Sequence, residues 1–266
     1  MAKDIWTREQ LVVALNLYWR IPYNKISGSS NSQIKNTALL IGRTAAALAY
    51  KLMNFTSLDP ERQNKGNKGK SGAGTHDEII WNEYFGKWEK LAFDSTVLLA
   101  NFQNKPIENL LNIESELKYA EGKEKERLVK TRVNQGDFRQ RILASYDEKC
   151  CITGIQVPAL LVASHIIPWS KNKEERLNPK NGLCLNSIHD KAFDKGLITV
   201  TTDFKIKLSE AILQKNKDLS IQKFFIDYEN QSIRLPSRFN PSVDFLKYHN
   251  ENVFNKFVVK DKQVFG

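Results

Sequence analysis

The sequence predicts an α+β protein in which a helical, helix-turn-helix-like N-terminal domain precedes a domain built as strand, loop, strand and helix, followed by a small α/β C-terminal extension. Three observations carry this reading. Apolar residues recur at helical spacing, with capping residues, before residue 60; the run Pro60 to Asp77 is rich in Gly, Lys, Asn and Ser and almost lacks apolar residues; and two strand-length apolar runs precede a helix between Leu160 and Lys195. The boundaries expected are a helical domain over 1–59, a basic flexible linker over 60–77, a helical connector over 78–131, the central domain over 132–200 and the extension over 201–266.

Thr7-Arg8-Glu9-Gln10 is a capping-box pattern, and Leu11, Leu15, Tyr18 and Trp19 share one face of the helix it starts. Pro22, Gly28 and a Ser-rich stretch break the chain before a short helix through Ile34, Ala38 and Leu39 that ends at Gly42. Thr44 caps a third helix, Ala45 to about Phe55, with Ala46, Ala49, Leu52 and Met53 facing inward and Arg43, Tyr50, Lys51 and Asn54 outward. Helix, tight Gly-containing turn, helix is the pattern of a unit whose last helix enters the DNA major groove, and small helical bundles share it. Trp81 to about Asn104 is apolar enough to pack, and Glu114 to Arg132 reads as an exposed helix of alternating charge. Further on, Leu160 to Pro168 reads as a buried strand, Asn181 to Leu185 as a second, and Ser187 to Lys195 as a helix capped by Ser187. Leu197–Val200 and Phe204–Leu208 then suggest a hairpin, Ser232–Leu235 a strand, and Val243–Phe254 a terminal helix.

Forty Lys and Arg against 30 Asp and Glu give a formal net charge of +10, the balance of a protein that meets a polyanion. The first 80 residues hold 11 of these cations and 6 of the acids. Double-stranded DNA is the expected partner, with Arg43, Tyr50, Lys51 and Asn54 reaching it from the third helix and Arg62, Lys65, Lys68 and Lys70 from the basic run. A solvated basic loop is the plain alternative for that run. No apolar run approaches the roughly 18 residues of a membrane span and no apolar signal core opens the chain, so a cytoplasmic location without membrane contact is expected. Three Cys cannot build a disulfide framework; with Cys150 and Cys151 adjacent and no CxxC they read as reduced core residues.

Two of the four His, His165 and His189, fall in one short stretch with Asn181 between them. A His ending the first strand, an Asn on the returning segment and a His in the first helical turn can converge on one cleft. This order resembles the HNH, or ββα-metal, endonuclease motif, with His165, Asn181 and His189 in its three signature positions. The resemblance extends to Arg132-Val133-Asn134-Gln135-Gly136-Asp137-Phe138-Arg139, Cys150-Cys151-Ile152-Thr153-Gly154, Ser164-His165-Ile166-Ile167-Pro168-Trp169, Asn181-Gly182-Leu183 and Phe193-Asp194-Lys195-Gly196-Leu197-Ile198, and points to the bacterial restriction-type branch.

The resemblance implies a metal-dependent DNA endonuclease. His165 would take the proton of the attacking water, and Asn181 would tie the strands together and orient it. Magnesium is the expected ion, with manganese or another transition metal also suited to imidazole ligation. Ser164 stands where other HNH enzymes often carry Asp or His, and a neutral hydroxyl is a poor ligand; the metal candidates are His189, Asp190 and Ser164, and with the nearby carboxylates weighed His189 ranks first, Asp190 second and Asp194 third. A homodimer is expected if both strands are cut. The competing class is a DNA-binding regulator or architectural protein with a catalytically silent HNH fold, and a third reading is an RNA-directed or structure-selective nuclease.

Overall fold

The computed structural model describes residues 5–26, 28, 30–64 and 72–254, which divide into two compact units, Met1–Ala144 and Ser145–Gly266. The first is helical: α1 Arg8–Arg20, α2 Ser32–Leu40, α3 Ala45–Thr56, α4 Pro60–Asn64, α5 Thr75–Tyr84, α6 Trp88–Phe102, α7 Ile107–Leu111 and α8 Gly122–Ser145. The capping box at Thr7 and Gln10 is complete, and α1 buries every residue from Leu11 to Trp19. A helix buried all round must be central, and α3, α5 and α6 all pack against it.

Tyr18 and Trp19 of α1, Phe55 of α3, Trp81 of α5 and Trp88 form one aromatic cluster with ring centroids 4.8–6.3 Å apart. Residues on both sides of the 60–77 segment therefore share a core. Part of that segment is helical, since α4 follows Asp59 and α5 begins at Thr75, while residues 65–71 lie outside the described residues. Fully buried Arg141 in α8 places its Nε 2.6 Å from Asp137, donates from Nη2 to Asn16 Oδ1 at 3.0 Å and lies over the Trp88 ring. It ties α1, α6 and α8 together. The turn from α2 to α3 uses Gly42 at φ +67°, a conformation that favours glycine. On α3 the buried apolar residues are Leu48, Leu52 and Phe55, whereas Ala46 is exposed, because packing against α1, α2 and α5 selects the bulkier stripe.

The second unit opens with β1 Leu161–His165 and β2 Gly182–Asn186, antiparallel with Leu161 opposite Asn186 and His165 opposite Gly182, and α9 Ser187–Asp194 packs on both strands. β3 Ile198–Val200 and β4 Ile206–Leu208 form the expected hairpin. The short helices α10 Glu210–Leu213 and α11 Leu219–Phe224 follow, then α12 Val243–His249, which continues into a π turn over Asn250–Phe254. Ser232–Leu235 does not form a strand: Ser232 bridges Lys205, while Arg234 turns its N–H to Cys151 O at 2.8 Å. All three cysteines are buried and reduced.

His249 anchors the end of this unit. Its ring stacks on Phe193 at 3.7 Å, accepts from the Thr199 hydroxyl on Nδ1 at 2.8 Å and donates from Nε2 to Phe193 O at 3.2 Å. Burial pushes its pKa from 6.5 down to about 4, against the opposing hydrogen bond to Phe193. A depressed imidazole pKa stabilises the fold above 6.5, and that contribution is lost as pH falls towards 4, because the unfolded chain takes up the proton first. Urea denaturation across this window should show a loss of about 3 kcal/mol in the parent chain. His249→Gln should show a flatter pH dependence; an unchanged slope would remove His249 as the cause.

Candidate active site

Residues 166–180 form the excursion between β1 and β2, and Asn181 holds it closed. Its Oδ1 accepts from Ile167 N at 2.8 Å, and its Nδ2 donates to the carbonyls of Ile167 and Glu175, both at 3.2 Å. The Asn181 carbonyl accepts from Ile166 N at 3.0 Å. Only 1% of Asn181 is exposed, so these bonds cannot be exchanged for water.

The closed excursion brings the Arg176 carbonyl to His165, the last residue of β1, whose Nε2 donates to it at 2.9 Å. Arg176 is held in turn, donating from Nε to Trp169 O at 2.8 Å and lying over the Trp169 ring, which meets His165 edge to face. With the hydrogen on Nε2, Nδ1 is the basic nitrogen. Burial holds the His165 pKa below 6.5, helped by the Arg176 charge and opposed by the bond to the Arg176 carbonyl, so the ring is neutral at pH 7. That is the state a proton acceptor needs.

His189 is built differently. The cap of α9 is Asn186, not Ser187: its Oδ1 accepts from the backbone N–H of Ile188 and His189, both at 3.0 Å. Its Nδ2 therefore faces His189 Nδ1, at 3.0 Å, as a donor. Nε2 must then carry the ring hydrogen, and it donates to Phe224 O at 2.6 Å. Phe225 and Tyr228 pack edge to face on the same ring, which is 1% exposed. The sequence ranks His189 first among the cation ligands; in this structure both its nitrogens are committed, and its geometry serves to fasten α9 to the chain around Phe224. Cys150 joins this network, accepting from Asn186 N at 3.3 Å. Burial raises its thiol, while hydrogen bonds from its surroundings, Thr153 and Ile152 among them, bring it down to about 7.

The oxygen groups face one another elsewhere. Ser164, 2% exposed, places its hydroxyl beside the Asp190 carboxyl and favours its charged form. Asp194 lies one turn beyond Asp190 on the same helical face. Burial raises the pKa of Asp190, opposed by Ser164 and Lys191. It raises Asp194 as well, with the Asp190 charge adding to it. Among the described residues no three or more His, Cys, Asp and Glu side chains converge as a ready cation cage.

The side chains expected to meet DNA from the first unit are mostly used internally. Arg43 donates to Gln10 Oε1 and Ile5 O and lies over the Trp6 ring, and Lys51 pairs with Asp77 at 2.8 Å. Asn54 is buried, and Arg62 is buried with its guanidinium 3.5 Å from the Tyr23 ring centroid. Tyr50 is half exposed, and Lys65, Lys68 and Lys70 lie outside the described residues. Arg176, Asn186 and Phe224 are the residues that sequence reasoning missed. An Asn directly after an apolar strand was a cap signal for α9; nothing local marks Arg176 or Phe224, which contribute backbone carbonyls.

A strand pair crossed by a helix, with a neutral His closing the first strand and an Asn bracing the excursion, defines a ββα unit. Residues 150–201 match the HNH endonuclease family, and this segment of the chain is an HNH domain. The run Arg132–Arg139 lies in α8, outside the matched residues. No curated protein matches the chain.

Asn181→Asp keeps the shape of the clamp but sets a carboxylate against two carbonyls. Urea denaturation should show a loss of about 1–3 kcal/mol. Trypsin should cut faster at the exposed Lys171 and Lys173, and an unchanged digestion rate would mean that the excursion is held by other contacts.

Proposed function

We propose that the protein is a DNA endonuclease of the restriction type that hydrolyses phosphodiester bonds at His165 with a divalent metal ion, Mg2+ being the best suited. The observation that carries this reading is the His165 tautomer: Nε2 tied to the Arg176 carbonyl, Nδ1 basic, and a pKa below 6.5 within an HNH domain. His165 Nδ1 takes the proton of the water that attacks phosphorus, and Asn181 acts through the excursion to keep the ring in place. HNH nucleases generally use a divalent metal ion, which when bound neutralises charge on the phosphate and on the leaving oxygen. Ser164, Asp190 and Asp194 are the groups available to hold it. Lys171, Lys173, Lys191 and Lys195, all exposed in this unit, supply phosphate contacts without base selectivity.

A second reading, a DNA-binding protein whose HNH domain is silent, draws on the committed nitrogens of His189 and on the hydroxyl at Ser164. Plasmid cleavage separates the two. His165→Ala should cut at least about a hundredfold more slowly while DNA affinity stays within about twofold, since no phosphate-binding charge is removed. EDTA should stop the parent chain, and equal cutting in EDTA would sink the metal mechanism.

Because the neutral ring is the base, the cleavage rate should rise with pH and level off, with the midpoint of the acid limb below 6.5. An acid limb centred above 6.5 would assign the base to another group.

A further inference from the structure

We infer that the first unit binds a nucleoside monophosphate in two adjoining chambers on either side of Arg20, with the phosphate on the guanidinium and the base in the chamber lined by carboxamides. The larger chamber, about 530 Å³, lies among α1, α6, α7 and α8, and its walls carry three arginines, Arg20, Arg132 and Arg139, against a single acid, Asp137. The smaller, about 270 Å³, shares Arg20 and Gln140 with it and adds Gln33, Asn36 and Gln103 beside leucines. Small-molecule sites measure roughly 300–1,000 Å³, so the pair is large enough for a ligand of this size. The run Arg132–Arg139, which lies outside the HNH match, supplies most of the α8 wall.

Three features of these walls are left over by the packing of the protein itself. Arg20 gives its Nε hydrogen to Gln140 Oε1, and among the described residues nothing accepts from its two Nη groups. Burial pushes its pKa down against the pull of Asp137, a carboxylate already paired with Arg141 at 2.6 Å. Arg132 is likewise paired, with Glu116 at 2.6 Å, which leaves Arg20 as the anchor for a phosphate. Ser95, 1% exposed, lines the smaller chamber, and among the described residues its Oγ has no hydrogen-bond partner, a state that costs free energy until a ligand satisfies it. Gly136 stands inside α8 on the wall of the larger chamber, where glycine weakens a helix relative to alanine. A Cβ there would meet no atom beyond its own stretch of helix within 4 Å, so the room it leaves is not used by the fold. Carboxamides carry donor and acceptor on one plane, the pattern that pairs with the edge of a base, and leucines suit its faces.

Thermal melting of the full chain with AMP, GMP, CMP, UMP, ribose 5-phosphate or inorganic phosphate tests the site. At least one mononucleotide at about 10 mM should raise the melting temperature by about 2 °C or more, and ribose 5-phosphate and phosphate by less than about half as much. Arg20→Gln should abolish the rise without lowering the ligand-free melt, because it removes a charge that lacks a counter-ion. Gly136→Ala should raise the ligand-free melt and weaken nucleotide binding about tenfold, a combination that misfolding cannot produce. His165→Ala should respond as the parent does, since the chambers lie in the first unit and His165 in the second. The inference is overturned if no mononucleotide raises the melt, if phosphate alone accounts for the rise, if Arg20→Gln and Gly136→Ala both respond as the parent, or if His165→Ala loses the response.

Discussion

The Asn181 side chain takes the Ile167 N–H on its oxygen and gives its amide hydrogens to the carbonyls of Ile167 and Glu175, so one buried group commits itself wholly to backbone. Those bonds set the path of the excursion. Once Ile167 and Glu175 are drawn to the same amide, Arg176 stands next to β1 and its carbonyl meets His165. The His165 ring is thus oriented by a carbonyl, the carbonyl by the loop, and the loop by the Asn181 amide. A carboxylamide is the side chain that carries donor and acceptor on one rigid plane, which explains why Asp or Leu of similar size would not serve.

The first unit uses charge for architecture. Arg141 is fully buried between Asp137, Asn16 and the Trp88 ring, and Arg62 packs on Tyr23. Such groups stabilise only as complete sets, since removing one partner strands a charge in the core. Positive charge counted from the sequence therefore overstates what a polyanion would meet on this unit. In the second unit Lys191 of α9 and Lys171 and Lys173 of the excursion are exposed.

Periodicity and capping made α1, α2 and α3 legible, and the spacing of His165, Asn181 and His189 located β1, β2 and α9, because these depend on neighbours a few residues apart. The inward face of α3 was not legible: α1 and α5 decide which stripe is buried, and they lie far away in sequence. The same reason hid the fate of Arg43 and Lys51, whose partners Gln10 and Asp77 come from other helices. The placements of His165 at the end of β1 and of Asn181 just before β2 were readable from strand position. For His189 the spacing located the helix but not the partners of the ring, since Asn186 and Phe224 are set by the cap of α9 and by a segment 35 residues on.

The bond from His189 to Phe224 has a consequence for where this domain ends. The matched segment stops at residue 201, yet a buried imidazole hydrogen within it is satisfied only by a carbonyl 35 residues further along the chain. Phe193 likewise finds its stacking partner in His249. A border drawn by sequence similarity thus falls inside a cooperative unit, and the physical module runs on through α12. Residues 202–249 are not an appendage to the HNH fold but the part of its wall that the motif does not encode.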